Sequence, residues 1–208
     1  MKIRYYDDDF PYIVIDDVYT EKECEMILAD YERINQNGKL LNPDYTGAAR
    51  DTDGEFIKNG KAAFWGDSID QNDFTQSGIF HKVFNEMNKT RLGVSSKIIA
   101  GHPNWFFREH KYEKMNVLLS YYENDDYYME HCDIALITCL TWHYKLPKKF
   151  KGGNFHFTKQ KIEIESKYNR MLIFPSIIAH SVDKVILSEE DAQKRYGRYC
   201  LTHFMLPY

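Results

Sequence analysis

The chain lacks any long hydrophobic run. No stretch approaches the roughly twenty apolar residues that a membrane-spanning helix needs. The opening segment, Met1-Lys2-Ile3-Arg4-Tyr5-Tyr6-Asp7-Asp8-Asp9, has no apolar core of the kind found in a secretory leader, so the expected location is the cytoplasm. Positive charge is not in excess either: 27 Lys and Arg stand against 31 Asp and Glu, a formal net charge of −4. No basic block stands out beyond Lys145–Lys151, and a nucleic-acid partner is not expected. Cysteine is sparse, with Cys24, Cys132, Cys139 and Cys200 and no Cys-x-x-Cys pair. That excludes a zinc ribbon and a redox dithiol, and leaves free thiols that are mostly buried as small hydrophobes. Internal repeats and low-complexity tracts are absent as well.

What is present is a globular composition: 208 residues, 43% hydrophobic and 28% charged, enough for one domain with a real core. Aromatics reach 15%, with 16 Tyr and 13 Phe, which suits a β-rich interior. Pro11–Asp17 reads as a short strand. Thr20 and Glu23 then form a capping-box pattern, and Cys24, Ile27, Leu28 and Tyr31 follow at helical spacing until Asn37-Gly38 ends the helix. Lys39–Asp73 is irregular, with turn signals at Asn42-Pro43, Asp53-Gly54 and Asn59-Gly60. So long a loop in a compact domain points to a lid or binding loop, with Arg50, Phe64 and Trp65 as candidate substrate contacts.

A second helix is predicted near Thr75–Lys89. From about Lys97 onward, short β-rich runs alternate with turns. Strands are predicted near Trp105–Arg108, Met115–Glu123, Tyr127–His131, Ile137–Tyr144, Gly153–Thr158, Ile162–Glu165, Arg170–Phe174, His180–Ile186 and Arg198–Met205. The expected architecture is a single domain, 1–208, mostly β with flanking helices. Residues from about 1 to 95 form helical support and a lid, and residues from about 97 to 208 form a β core arranged as a sandwich, barrel or jelly roll.

The chemistry concentrates in His131-Cys132-Asp133. Alternate side chains of a strand share a face, so His131 and Asp133 project together while Cys132 points away. Two imidazoles and a carboxylate on one face of a metal ion leave the remaining positions open, the ligand set of non-haem Fe(II) oxygenases. His180, 49 residues downstream of His131, is the best candidate for the second imidazole, with His143 and His156 as runners-up. Arg198 opens the run Arg198-Tyr199-Cys200-Leu201-Thr202. It shares a face with Cys200 and Thr202, whose small side chains leave room beside the guanidinium for a bidentate grip on a carboxylate. Arg195 is the alternative, in a charged hairpin that is expected to be solvated.

Together these residues resemble the prolyl 4-hydroxylase-like branch of the 2-oxoglutarate- and Fe(II)-dependent dioxygenases. The shared pattern runs through Tyr122, Tyr128, His131, Asp133, Gly152-Gly153, Phe174-Pro175, His180, Val182 and Gly197-Arg198, with Pro11–Glu25 similar to that family's first strand and helix. The resemblance implies a double-stranded β-helix, or jelly roll, with Fe(II) held by His131, Asp133 and His180. It implies 2-oxoglutarate as cosubstrate, anchored by Arg198 and assisted by Tyr122, and O2 as oxidant. Tyr128 and Trp142 are expected at the pocket wall, together with Leu140 and Phe157. Two features depart from the pattern. The 18-residue interval from His180 to Arg198 is longer than is usual there, implying an enlarged hairpin over Ile186–Tyr196. Arginine also stands where the prolyl enzymes often have lysine.

The implied substrate is a prolyl or other residue of a peptide or protein. The alternatives are the same chemistry on a free amino acid or small metabolite, a non-catalytic jelly-roll binding module, and a zinc hydrolase. The last would need a general base. Glu130 has the wrong strand parity to serve Asp133's site. The sequence is silent on oligomeric state.

Overall fold

The computed structural model describes residues 1–64, 98–109 and 114–207. Trp65 and the helix predicted near Thr75–Lys89 lie outside the described residues.

Among the described residues, two antiparallel sheets carry the fold. The larger has seven strands: β1 (Lys2–Tyr6), β2 (Tyr12–Asp16), β4 (Lys61–Phe64), β5 (Lys114–Tyr122), β7 (Ile137–His143), β11 (Arg170–Pro175) and β14 (Arg198–Leu206), in the spatial order β1-β2-β11-β7-β14-β5-β4. The smaller has five: β3 (Lys58–Asn59), β6 (Tyr127–His131), β9 (Phe155–Phe157), β10 (Ile162–Ile164) and β12 (His180–Val182), in the order β10-β9-β12-β6-β3. A two-stranded ribbon, β8 (Lys151–Gly152) with β13 (Val185–Ile186), adjoins them. Apart from β1–β2, β4–β5 and β9–β10, strands adjacent in these sheets are not consecutive in the chain, in keeping with the jelly-roll expectation.

The large sheet is buried on both faces, and strict alternation sorts its side chains. Tyr12, Val14, Leu140, Trp142, Leu172 and Phe174 point inward and meet Phe155 and Phe157 of the small sheet. Ile13, Ile15, Cys139, Met171 and Ile173 point outward, beneath Ile98, Ile99 and Phe107. The remainder of the outer face is covered by helix α1 (Glu21–Gln36). Its Cys24, Ile27, Tyr31 and Ile34 pack on Leu119, Tyr121, Tyr199 and Leu201. The helix begins where its cap predicts: the Thr20 hydroxyl accepts from the Glu23 amide, and the Glu23 carboxylate accepts from the Thr20 amide. Each fully buried aliphatic chain here contributes roughly 1.5–3 kcal/mol of transfer free energy.

Several expectations are corrected. Trp105–Arg108 is not a strand. It belongs to helix α2 (Trp105–Glu109), and the Asn104 side chain accepts from the Phe106 amide as a cap. The enlarged hairpin over Ile186–Tyr196 contains helix α3 (Glu189–Gln193), with Ser188 as its cap. The N-terminal part is more than helical support: β1 and β2 belong to the large sheet. The stretch expected as an irregular lid from Lys39 supplies β3 to one sheet and β4 to the other.

One buried charge cluster locks the start of the chain to the core. Asp16 is 5% exposed and accepts from Arg170 Nε at 2.6 Å and from Arg4 at 2.8 Å. The Arg170 hydrogen bond, with that of Arg4, outweighs burial and holds the Asp16 carboxyl well below the usual carboxylate range. A depressed acid stabilises the fold fully above its unfolded pKa and ceases to do so as pH falls through its folded one. Asp16→Asn is therefore expected to cost about 2 kcal/mol or more at pH 7. The gap to wild type should narrow below about pH 4, the unfolded carboxylate value. Urea unfolding across that pH range measures both.

Candidate metal centre

The mouth between the two sheets is set by one pairing. Strand β12 lies antiparallel to β6 with His180 opposite His131, and a register shift follows: Val182 pairs with Tyr128. Three steps on β6 thus match two on β12, the signature of a bulge. The bulge brings Tyr128 and His131, which simple alternation would separate, onto one face. Their rings stack with centroids 3.6 Å apart. Beyond the strand end Asp133 turns in, its amide donating to the Ser176 carbonyl.

The ligand atoms of His131, Asp133 and His180 all lie within 4.8 Å of one another. His131 Nε2 is 3.6 Å from one Asp133 oxygen and His180 Nε2 is 3.5 Å from the other. The opposite ring nitrogens are already occupied: His131 Nδ1 meets the Met129 carbonyl at 2.8 Å, and His180 Nδ1 meets the Ile178 carbonyl at 2.8 Å. A carbonyl only accepts, so each Nδ1 carries a proton, and Nε2 is the ring nitrogen turned toward the carboxylate and available to a metal. Thr138 donates to Asp133 at 2.7 Å and contacts the Ser176 hydroxyl at 2.8 Å. Burial, reinforced by the nearby His180, pushes His131 down to about 3 and keeps it neutral. Burial pushes the Asp133 carboxyl up. Two imidazoles oriented by carbonyls, beside a buried carboxylate, fit a divalent cation.

The cavity behind this trio is lined on the large sheet by Ser120, Tyr122, Leu140, Arg198, Cys200 and Thr202, and on the small sheet by Phe155 and Val182. Arg198 is fully buried, and among the described residues none of its guanidinium nitrogens has a hydrogen-bond partner. Its Cζ lies 5.0 Å from the Tyr122 ring and 5.8 Å from the Trp142 ring. Two glycine sites of the motif pattern serve this side chain. A Cβ at Gly153, where φ is +68°, would come within 3.1 Å of Arg198 Cδ. One at Gly197 would come within 2.3 Å of the Tyr122 carbonyl.

The other sequence candidates fall elsewhere. Trp142 is fully buried in the inter-sheet core and backs the guanidinium without lining the cavity, and Phe157 is likewise core, with Phe155 in the wall position instead. Arg50 donates to the Gly54 carbonyl and sits over the Phe56 ring, within its own turn. His143 is enclosed among Tyr19, Tyr31 and Tyr168. His156 pairs with Asp183 at 2.8 Å, and Glu130 faces Lys159. Sequence reasoning missed Lys58, a buried lysine on β3 that reaches into the cavity. Its position in a presumed loop hid it; only the alternating Ile57-Lys58-Asn59 run before a turn signalled a strand.

Comparison with solved structures aligns nearly the whole chain. A Pseudomonas putida prolyl-4-hydroxylase matches with a TM-score of 0.63 at 16% identity, over 94% of this chain and 92% of that one. A Trichoplax adhaerens prolyl hydroxylase, solved with a hypoxia inducible factor peptide fragment, matches with 0.63 at 13% identity, over 94% and 83%. This is the prolyl 4-hydroxylase-like fold. A collagen prolyl hydroxylase of Paramecium Bursaria Chlorella virus-1, in its 2OG complex, matches with 0.57 at 14% identity, over 95% and 96%. No family model and no curated protein sequence matches the chain. No helix among the described residues is long and apolar enough to cross a membrane.

The Thr138 hydroxyl orients Asp133 from behind, and such supporting contacts are typically worth about 10–100-fold in metal affinity. Thr138→Val is expected to weaken Co(II) binding by about tenfold or more on that scale. His156→Ala, on the strand beside His180 but with its ring paired to Asp183, should leave it unchanged. Titration of the cobalt visible spectrum in both variants checks this.

Proposed function

We propose that this chain is an Fe(II)- and 2-oxoglutarate-dependent dioxygenase that hydroxylates a prolyl or other residue in a peptide or protein. One observation carries the reading: a His-Asp-His trio and a buried guanidinium without a partner open onto the same cavity. The first suits a metal with open positions, and the second suits the far carboxylate of a keto acid. The likeness to prolyl hydroxylases, one solved with 2OG and one with a peptide, supports the pairing.

Fe(II) with 2-oxoglutarate and O2 supplies oxidative decarboxylation, giving succinate and CO2, coupled to insertion of oxygen into a C–H bond. The protein's share is placement. His131, Asp133 and His180 would hold the metal, and the Met129 and Ile178 carbonyls, by taking the Nδ1 protons, leave both Nε2 atoms turned toward it. Arg198, fixed between Tyr122 and Trp142, binds the distal carboxylate where low dielectric strengthens the attraction, and so sets the angle of the keto group. Leu140, Phe155 and Val182 exclude water from the reacting region.

Exposed apolar residues close to the trio in sequence favour a peptide over a free amino acid. Met129, Ile134 and Ile177, each within three residues of His131, Asp133 or His180, are 54%, 98% and 76% exposed. Exposed apolar side chains of this kind suit a partner with apolar surface of its own.

Protein loaded anaerobically with Fe(II) and 2-oxoglutarate is expected to release succinate on admission of air. His131→Ala should abolish release. Arg198→Ala should raise the KM for 2-oxoglutarate by about thirtyfold or more, the scale for truncating one partner of a buried charge pair. Proline-containing peptides should stimulate turnover above free proline. Absence of both succinate release and metal-dependent 2-oxoglutarate binding would leave only a jelly-roll binding module.

A further inference from the structure

The cavity holds a second cation that the metal-and-arginine reading does not use. Lys58 is 4% exposed. It stands on the edge strand β3, paired with Tyr128, yet its side chain crosses to the opposite sheet, where Nζ donates to Ser120 Oγ at 3.1 Å. The ammonium lies 5.7 Å from the Tyr122 ring and 5.5 Å from the Tyr128 ring. Among the described residues no carboxylate is within salt-bridge distance of it, and Ser120 is its one hydrogen-bond partner. An ammonium has three protons to donate, so two remain unspent in a buried site.

Burying a charge without a counter-ion is costly, and a second like charge nearby raises the cost. Here the second charge is Arg198. Ser120 faces Cys200 across the β5–β14 pair, and Arg198 faces Tyr122, two residues along. Such diagonal positions on a sheet face are about 7 Å apart. That spacing places Ser120, which holds the Lys58 ammonium, beside the strand position of Arg198, and both heads line the same cavity, where one carboxylate can present an oxygen to each. Both cations lie near the Tyr122 ring, the ammonium at 5.7 Å and the guanidinium carbon at 5.0 Å from its centroid.

We infer that Lys58 is a second binding residue for the distal carboxylate of the cosubstrate, acting with Arg198 so that the cavity selects a dicarboxylic 2-oxo acid. This rests on the function proposed above. Lys58 reads the end of the molecule remote from the metal, so its removal weakens an acid that has that carboxylate and spares one that lacks it.

The test is calorimetric binding to Zn(II)-substituted protein, which does not turn over. The probes are 2-oxoglutarate and 2-oxopentanoate, which keeps the chain and the keto acid end but has a methyl group in place of the distal carboxylate. Lys58→Met is expected to weaken 2-oxoglutarate binding by about tenfold or more, the scale of a lost charged hydrogen bond, and to leave 2-oxopentanoate unchanged. The melting temperature of the ligand-free protein should be kept or raised, because an uncompensated charge has gone from the interior. Lys58→Gln, which retains a polar head, should show the same selectivity and serves if the methionine variant misfolds.

Unaltered 2-oxoglutarate affinity in the Lys58 variants, beside a loss in Arg198→Gln, would overturn the inference and leave the proposed function intact. Equal weakening of both acids with a lowered melting temperature would mark Lys58 as a structural tie between the sheets and also overturn it. Failure of wild-type protein to bind 2-oxoglutarate at all would remove the proposed function itself.

Discussion

The geometry of the site depends on one strand pairing. β12 meets β6 with His180 directly opposite His131, and the bulge that follows rotates Tyr128 onto the same face. Pairing of this kind places two side chains at a separation set by the sheet, about 5 Å between Cβ atoms, which is the scale a metal ion needs. The third member, Asp133, lies just past the strand end, where the chain is free to turn. Its orientation comes from Thr138 and from its own amide on the Ser176 carbonyl. A slip of one residue in this register would send both imidazoles to opposite faces and dissolve the trio.

The rest of the fold can be understood as support for that mouth. The two sheets are held together by a dense aromatic layer, with Phe155 touching Phe157, Phe174 and His180, so the imidazole of His180 rests on the hydrophobic core itself. On the far side of the large sheet α1 supplies a second apolar layer. A sheet buried on both faces is stiff, and that stiffness holds the buried guanidinium and the two imidazoles in place. Charges are treated differently in different places. Asp16 is met by Arg4 and Arg170 and closes the first strands onto the core. Among the described residues Arg198 has no hydrogen-bond partner and Lys58 has Ser120 alone, and both line the cavity. The paired charges thus tie the fold together, and the unpaired ones are gathered at the proposed site.

Much of the β core was legible from alternation and turn chemistry. Strands such as Tyr127–His131 and Ile137–His143 have boundaries within a residue of expectation, and the Thr20–Glu23 box marked the start of α1. The misses have physical causes. Trp105–Glu109 is rich in aromatics, which favour strands, but the Asn104 cap decided for a helix. Lys58 and the strand it sits on were hidden because β3 has only two residues and owes its conformation to β6. Trp142 was misplaced because parity names a face of a sheet but not the depth along it.

By itself the sequence determined the order and type of the chemistry-bearing residues: a His-x-Asp, a later His, an Arg behind a Gly, and the apolar periodicity that folds them into strands. These are local properties, set by side-chain chemistry and by a period of two. Only the tertiary structure decided which histidine completes the trio, that Tyr128 joins it across a bulge, and that Lys58 shares the cavity with Arg198. Each of those facts depends on which strands lie side by side. That is a contest between long-range pairings, settled by burial of the whole core, and no local pattern records its outcome.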